Sequence, residues 1–570
     1  MRSTFTKTGA LGALTLLLLT PPALAADPPP AAPAPAPADP AASPAPAASP
    51  AAQPPAGDPG AAPAAAPGGE QPVNPDELTE EGGAAELSLA NEAIFLKDFA
   101  KAARLAHVSM KKTKPSAEKY ESAQFALAQS LEKLGLGQGA AEYYFAVAEQ
   151  RQNPALLSRA LAGLARLSRR GELDEEKLLR GVLVEAELSN IPARVADFLH
   201  YYRGLANLRQ GYRKWSKKDF ALVRPNSYYG RRVALAEAVT LVKEDKVDEA
   251  LEVIESFLEG EERRKEKLRE ERGILAKAQE ASDSKTSADS KKRARTTRVK
   301  SDPVVDASLI RARLLYEKGE FEDAIAQYVE VGRTPEAPAG ELLLERAWAH
   351  FRDSSYHDAM GLLYALGAPS NRELFLPDQY VLRGLIYQRF CHFRAAKASV
   401  ADFRARYGES IATLRNGAKP LEVPVIAKAA AELPDVAPAV RVARALEAEQ
   451  QRLVTMADAL QEGGIGEHLA HVYQVLAERS GYSLQRTLEE AGNKIADRLL
   501  EADEQANLLE YEVGVSIFRP IRDASGKIRV RAAAEEVPSG GPRLFYHFDG
   551  EFWSDELPDM RSLIQDRCVE

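Results

Sequence analysis

The residues in this sequence best suited to metal chemistry are the histidines of Glu467-His468-Leu-Ala-His471. Their imidazoles lie three residues apart on a predicted helix. A zinc-protease site on a helix needs a spacing of four, with a glutamate directly after the first histidine. His350 and His357 are seven residues apart and flank a predicted turn, so they are not expected to share a site. We therefore predict no metal site.

An acidic cluster near the C-terminus is the one candidate for cleaving a glycan, which requires a pair of carboxyl groups. Its members surround Trp553 and are Asp549, Glu551, Asp555, Glu556 and Asp559. Turn formation and helix capping account for the same residues. The sequence has no glycine-rich phosphate cradle, serine elbow or paired-cysteine ligand set. We predict no enzyme, no catalytic residue and no cofactor, with a cell-wall enzyme that uses these acids as the alternative.

Residues 1–25 have the three parts of a secretory signal peptide. Arg2 and Lys7 precede an uncharged run over residues 8–19, and Ala23-Leu24-Ala25 forms a small-residue cleavage site. The apolar run is shorter than the roughly 20 residues that span a bilayer. No cysteine lies near the expected cut. We predict cleavage without lipid attachment, no membrane span afterwards, and a location in the bacterial periplasm.

Residues 26–74 are almost wholly Ala, Pro and Gly. Such a segment lacks the large apolar side chains that offset the entropy of ordering a backbone. It is predicted to be a disordered linker, either a passive spacer or a tether. The formal charge of −9 argues against nucleic acid as a partner. Cys391 and Cys568 are expected to be two separate thiols, with a disulfide between them as the alternative.

Internal repeats determine the predicted architecture. The clearest unit places Ala312 before the turn Gly319-Glu320-Phe321, then Ala324 and finally Pro335. This unit resembles the tetratricopeptide repeat, in which small residues let two helices approach closely around a Gly-Asp/Glu-aromatic turn. The second small residue recurs at positions 324, 359 and 396, in steps of 35 and 37. About seven units are predicted over residues 85–408. The resemblance implies an all-α solenoid of helical hairpins over 75–258 and 304–410.

A charged insertion is predicted at residues 259–303, where the apolar helical stripe fades. Its first half contains both positively and negatively charged side chains and favours a solvated helix. Residues 285–300 instead hold seven basic side chains and one acidic side chain. A disordered loop is the simplest interpretation. The alternative is contact with an anionic lipid or protein surface through six side chains: Lys291, Lys292, Arg293, Arg295, Arg298 and Lys300.

The remaining chain departs from the repeat pattern. Prolines predict a linker at 411–438, and the leucine spacing of 439–511 predicts long C-terminal helices that pack within the chain rather than as a dimeric coiled coil. In the last segment, 512–570, Val513, Val515 and Ile517 alternate as in a strand, and a small β-hairpin tip is predicted. This end resembles periplasmic repeat proteins of myxobacterial adventurous gliding-motility envelope complexes. That resemblance implies a structural role in a multiprotein envelope complex.

Binding of other envelope proteins is therefore the predicted function, with a passive envelope spacer as a further alternative. In the tetratricopeptide family the first helix of each pair lines the concave face. The matching positions here are predicted to bind a partner protein: Arg313, Tyr316, Trp348, Phe351, Arg352, Gln388 and Arg389. Trp and Tyr are among the residues that dominate binding energy, as is Arg. Trp348 and Phe351 could equally pack between repeats.

Overall fold

The computed structural model describes residues 78–171, 173, 191–281, 303–334, 339–518 and 557–568. In these ranges the chain forms eighteen α-helices, and an isolated bridge joins Thr79 to Thr113. The first nine helices are α1 (Ala84–Phe95), α2 (Phe99–Lys112), α3 (Glu118–Leu134), α4 (Gly137–Gln150), α5 (Pro154–Arg170), α6 (Ala193–Arg209), α7 (Arg213–Ala221), α8 (Gly230–Lys243) and α9 (Val247–Ala281). The others are α10 (Pro303–Lys318), α11 (Phe321–Gly332), α12 (Ala339–Arg352), α13 (Tyr356–Ala365), α14 (Asp378–Arg389), α15 (Phe393–Arg415), α16 (Pro424–Glu432), α17 (Ala437–Thr455) and α18 (Ile465–Phe518).

Seven helix pairs are joined by the same tight turn. The pairs are α1–α2, α3–α4, α6–α7, α8–α9, α10–α11, α12–α13 and α14–α15. In each turn one residue has a φ between 60° and 85°: Lys97, Gly135, Gly211, Asp245, Gly319, Ser354 and Cys391. Glycine adopts this left-handed conformation without steric cost, whereas a residue with a Cβ does so less readily.

Backbone hydrogen bonds explain why every one of these turns has the same shape. The N–H after the turn residue donates to the carbonyl oxygen five positions earlier, as from Glu320 to Leu315 at 2.9 Å. In the seven turns this distance lies between 2.8 and 3.0 Å. The bond satisfies a carbonyl that would otherwise be unpaired at the helix end. It also fixes the direction in which the second helix leaves the first.

The first part of the predicted insertion is helical. α9 runs without interruption from Val247 to Ala281. Two pairs three residues apart link opposite charges along it, Arg264–Glu261 at 2.8 Å and Lys265–Glu262 at 2.7 Å. Such pairs support the helix that the mixed-sign sequence predicted. Glu261 is itself buried and also pairs with Arg231 of α8, so the helix is packed rather than solvated at this point. The six basic candidates between Lys291 and Lys300 lie outside the described residues.

The segment predicted as a linker, 411–438, is packed instead. α15 continues to Arg415, and α16 buries Ile426 and Ala430 completely. Pro434 lies in the turn after α16, but other prolines that suggested a linker lie in the first turns of helices: Pro424 is the first residue of α16 and Pro438 is the second of α17. Proline is favoured there because its missing N–H would have no partner within the helix.

The long helix α18 connects the two ends of the array. It has 54 residues and is therefore about 80 Å long. Near its start, Leu469 and Tyr473 lie in the hydrophobic core of the first hairpins. Further on, Leu499 and Ala506 lie in a second core, together with residues of α15 and α16. The C-terminal helices thus bury their apolar stripes within the chain.

The predicted strand at Val513, Val515 and Ile517 is wrong, because all three residues belong to α18. Val513 is 1% exposed and continues the helical stripe of Ala506 and Leu509. Burial of that stripe outweighs the local β-branched alternation. The rest of the segment predicted to form the hairpin tip lies, over residues 519–556, outside the described part of the chain.

Residues 557–568 form a C-terminal strap across α13 and the last tight turn. The Ser562 N–H donates to the carbonyl of His357 at 3.0 Å, and the Arg567 N–H donates to that of Phe390 at 3.1 Å. The strap ends in a disulfide between Cys568 and Cys391. The expectation of two separate thiols is wrong, because the strap brings the two Cα atoms to 5.0 Å despite 177 residues of separation. Across the described ranges, no helix has the length and apolar character that a membrane span requires.

Candidate partner-binding surface

Arg313 does not lie on a binding surface, contrary to its prediction. Its side chain is buried and forms a two-pronged ion pair with Glu345, with nitrogen–oxygen distances of 2.5 and 2.9 Å. Burial alone would lower the pKa of Arg313, but the adjacent Glu345 carboxylate more than offsets this, so the pKa is raised. Glu345 belongs to the first helix of the next hairpin. The pair therefore joins neighbouring hairpins and leaves nothing for a partner to bind.

Gln388 is also engaged within the chain. Its side-chain amide donates to Glu512 of α18 at 3.2 Å. Arg389, one position later, is exposed. The last hairpin therefore offers Arg389 to solvent and uses Gln388 to hold the long helix.

Tyr316, Trp348, Phe351 and Arg352 come together on adjacent hairpins. Tyr316 meets the ring of Phe321 edge-on, with centroids 5.5 Å apart, and Trp348 meets Phe351 in the same way at 5.8 Å. The Arg352 guanidinium lies 5.4 Å from the Phe321 ring centroid and links the two pairs. We call these five residues the aromatic row.

The aromatic row is only partly covered by the rest of the chain. Tyr316, Trp348 and Phe351 are half-buried, while Arg352 is exposed. Burial raises the pKa of Tyr316 to about 12, although Arg352 acts in the opposite direction, so this phenol is neutral at physiological pH. The row can offer aromatic faces, one hydroxyl and one fixed positive charge.

Two small buried residues accompany every tight turn, at fixed positions. Seven residues before the turn residue stand Ala90, Ala128, Gly204, Ala238, Ala312, Ala347 and Gly384. Five residues after it stand Ala102, Ala140, Ser216, Ala250, Ala324, Ala359 and Ala396. All fourteen are buried. The array is a solenoid of tetratricopeptide-like hairpins. A Cβ at Gly204 would lie 2.4 Å from the ring of Phe220, which shows how closely the two helices of a hairpin approach in this solenoid.

Of three comparisons of this chain with known proteins, the one with solved structures finds similar proteins. No protein-family model matches, and no curated protein does. A tetratricopeptide repeat protein from Parabacteroides merdae is 14% identical, with 57% of this chain and 93% of that chain covered and a TM-score of 0.25. Yeast Tom70 is 12% identical, with 77% of this chain and 90% of Tom70 covered, and its TM-score is also 0.25. A chain of the APC/C hetero-tetramer Cut9–Hcn1 is 13% identical, with 76% of this chain and 90% of that chain covered and a TM-score of 0.17. Scores this low carry no functional inference.

A buried polar cluster lies between the solenoid and the C-terminal helices, and it was not identified from the sequence. Glu449 of α17 is 4% exposed and accepts the Gln138 N–H at 2.9 Å and the Tyr473 hydroxyl at 2.5 Å. The Tyr473 oxygen in turn accepts the N–H of Gly139 at 3.1 Å. One signal was present in the sequence: Glu449 lies three residues after Leu446, on the same apolar stripe. A carboxylate in such a position needs buried partners.

The histidines considered as metal ligands in the sequence either contact other residues of the chain or are exposed. His468 lies 2.7 Å from the Tyr143 hydroxyl, its ring centroid is 4.6 Å from that of His107, and His471 faces solvent. His357 accepts the Ile564 N–H of the strap at 3.1 Å. Among the described residues, no group of three His, Cys, Asp or Glu could hold a metal ion.

Of the five acidic candidates near Trp553, the structure describes Asp559. Asp559 is exposed and lies 4.0 Å from Arg346, while the other four acids lie outside the described residues. Arg346 and His350 are four residues apart on α12, on the side facing the strap. Trp348 and Arg352 are offset by two residues and so lie on the opposite side of the helix. The strap and the aromatic row therefore occupy different faces.

Proposed function

We propose that the protein is a non-enzymatic scaffold that holds partner proteins through the aromatic row. The observation that carries this proposal is the half-buried row of Tyr316, Trp348 and Phe351 beside the exposed Arg352. Interfaces derive most of their binding energy from a few such residues. These side chains are already ordered by contacts with one another, so little conformational entropy is lost when a partner binds.

The chemistry of the row defines the kind of partner segment that fits it. Aromatic edges and faces accept apolar side chains, and the fixed charge of Arg352 favours a carboxylate next to them. We therefore propose a protein segment in which apolar residues are flanked by Asp or Glu. The row faces away from the strap, so the strap and a partner can be bound together.

Location and assembly are further parts of the proposal. The signal peptide at residues 1–25 supports export to the periplasm, and the resemblance of the C-terminus supports a place in an envelope complex of the gliding-motility type. The linker at 26–74 would allow the solenoid to work at a distance from its point of attachment. Cell fractionation with N-terminal sequencing of the mature protein checks the export step.

Affinity measurement tests the binding step. Proximity labelling in native cells names the neighbours, and each purified neighbour is then titrated against Trp348→Ala and Arg352→Ala variants. Each variant is expected to bind at least one neighbour about tenfold to a hundredfold more weakly. Lys101→Ala, an exposed change on α2, is the control and should leave affinity unaltered. Equal affinity of all variants for every neighbour would favour the passive spacer.

A further inference from the structure

The α6–α7 hairpin is strongly basic within an acidic protein. Residues 193–221 contain seven Lys or Arg against two acidic residues, a balance of +5, whereas the whole chain carries −9. Both acidic residues, Asp197 and Asp219, are buried. Asp197 pairs with Arg224 at 2.7 Å, and Asp219 lies 3.1 Å from His200. Arg213 pairs with Glu244, directly after α8, while Lys214, Lys217 and Lys218 are exposed, so the surface of this hairpin is mainly cationic.

The same hairpin exposes large apolar side chains. Tyr212 is 57% exposed, Trp215 59% and Leu222 55%. Trp215 and Leu222 are seven residues apart, so they lie on one side of the helix. Lys218 lies between them, with its ammonium 5.4 Å from the Trp215 ring centroid. α7 packs on the solenoid through an adjoining side, which buries Ser216, Asp219 and Phe220.

We infer that this surface, formed by Tyr212, Lys214, Trp215, Lys217, Lys218 and Leu222, docks on an anionic lipid membrane. Trp and Tyr favour the boundary between water and hydrocarbon, and neighbouring lysines are attracted to anionic headgroups. The combination is typical of helices that lie on a membrane rather than cross it.

A protein partner fits this surface less well. Lysine is depleted from the centres of protein interfaces, where a desolvated ammonium needs a specific carboxylate. Here three exposed lysines accompany the single tryptophan on α7: Lys218 lies over its ring, and Lys214 and Lys217 lie further round the exposed side of the helix. At a lipid surface the ammonium groups stay hydrated at headgroup level while the indole enters the interface. Beside this hairpin lies a cavity of about 610 Å³, lined by Arg169, Arg194 and the ion pair of Arg224 with Asp197.

This inference goes beyond the proposed scaffold function and does not depend on it, since the aromatic row lies on other hairpins. Flotation of the full-length protein with vesicles tests it. Vesicles of phosphatidylglycerol and phosphatidylcholine should carry the protein, and vesicles of phosphatidylcholine alone should not. Replacing Lys214, Lys217 and Lys218 by Gln should weaken partition about a hundredfold, and Trp215→Ala should weaken it about tenfold. Because these side chains are exposed, both variants should keep the melting temperature of the parent.

A matched control removes three positive charges elsewhere, by Lys291→Gln, Lys292→Gln and Arg293→Gln. It should float like the parent protein. The inference is overturned if anionic vesicles fail to carry the protein. It is also overturned if only the control variant stops floating, which would assign the lipid contact to residues 285–300. Equal loss in both triple variants contradicts it as well, because the attraction would then follow total charge.

Discussion

Glu449 and Tyr473, on the two C-terminal helices, together cap the first turn of α4. The Tyr473 hydroxyl lies 2.5 Å from the Glu449 carboxylate, and each oxygen accepts a backbone N–H from the beginning of α4. The residue before α4, Leu136, offers no side-chain cap of its own. An anion at this position also complements the positive end of the helix dipole. The solenoid therefore depends on distant parts of the chain to complete one of its own helices.

Removal of this cap should destabilise the protein. Glu449→Ala leaves two buried donors unpaired, and we expect the free energy of unfolding to fall by about 3 kcal/mol. Tyr473→Phe should cost about 1–2 kcal/mol. Urea denaturation measures both changes. Glu447→Ala is the matched control, since Glu447 is exposed on the same helix, and a loss there as large as for Glu449→Ala would contradict the capping role.

Arg313 and Arg352 should behave in opposite ways. Arg313→Ala leaves Glu345 without its partner in a buried site, and we expect a loss of about 3–5 kcal/mol in the free energy of unfolding. Arg352→Ala should change stability by less than about 1 kcal/mol, because it removes an exposed cation–π contact. Denaturant titration distinguishes the two. Replacing Arg313 and Glu345 together by Met should recover most of the stability, and failure to do so would show that the charges themselves are needed.

Acidic pH should lower the stability of the folded protein through protonation of His350 in α12. Burial lowers the pKa of His350 below its ordinary 6.5, and the positive charges of Arg346 and Arg561 reinforce this, whereas Asp358 and Asp353 oppose it. The unfolded chain therefore binds this proton more readily than the folded chain. The stabilising contribution is complete above the unfolded pKa, which is near 6.5, and is lost progressively as the pH falls below it towards the lowered pKa of the folded state.

The measurement is the melting temperature at about pH 7.5 and about pH 5.5. His350→Gln should show a smaller acid-induced decrease than the parent protein. His471→Gln, at an exposed position, should show the parental decrease. If His350→Gln kept the full decrease, the acid sensitivity would have to come from other groups.

The disulfide should hold the C-terminal strap in place. Under non-reducing conditions, mass spectrometry of a digest should find one peptide pair joined through Cys391 and Cys568. Reduction, or Cys568→Ser, should increase hydrogen exchange at residues 557–568 while exchange in α3 and α4 stays unchanged. Unaltered exchange in the strap would show that its contacts with His357 and Phe390 are sufficient without the bond.

The repeat architecture could be read from local pattern because each hairpin is specified by residues close in sequence. A small residue, a turn and a second small residue fall within twelve positions of one another, as from Ala312 to Ala324. Turn geometry and close helix contact both act over this range. The same repeat pattern correctly predicted that Tyr316 and Trp348 lie on adjacent hairpins.

Contacts between distant segments account for what the sequence could not predict. Arg313 looked like a surface residue because its partner, Glu345, lies 32 positions away on another hairpin. For Cys391 and Cys568 the sequence favoured separate thiols and left a disulfide as the alternative, because the strap that brings them together is defined by its contacts with α13. Val513 alternated like a strand residue, but burial against the last hairpin made it helical.

Site-specific photocrosslinking in the native cell tests the central proposal most directly. A photoreactive residue is placed at position 320, an exposed position next to Phe321 of the aromatic row, and at position 101 on α2 as an exposed control. The scaffold proposal predicts one or a few discrete crosslinked proteins at position 320, reduced by the additional change Trp348→Ala, and none of these at position 101. Identical crosslinking at both positions, or its absence at position 320, would contradict the proposal.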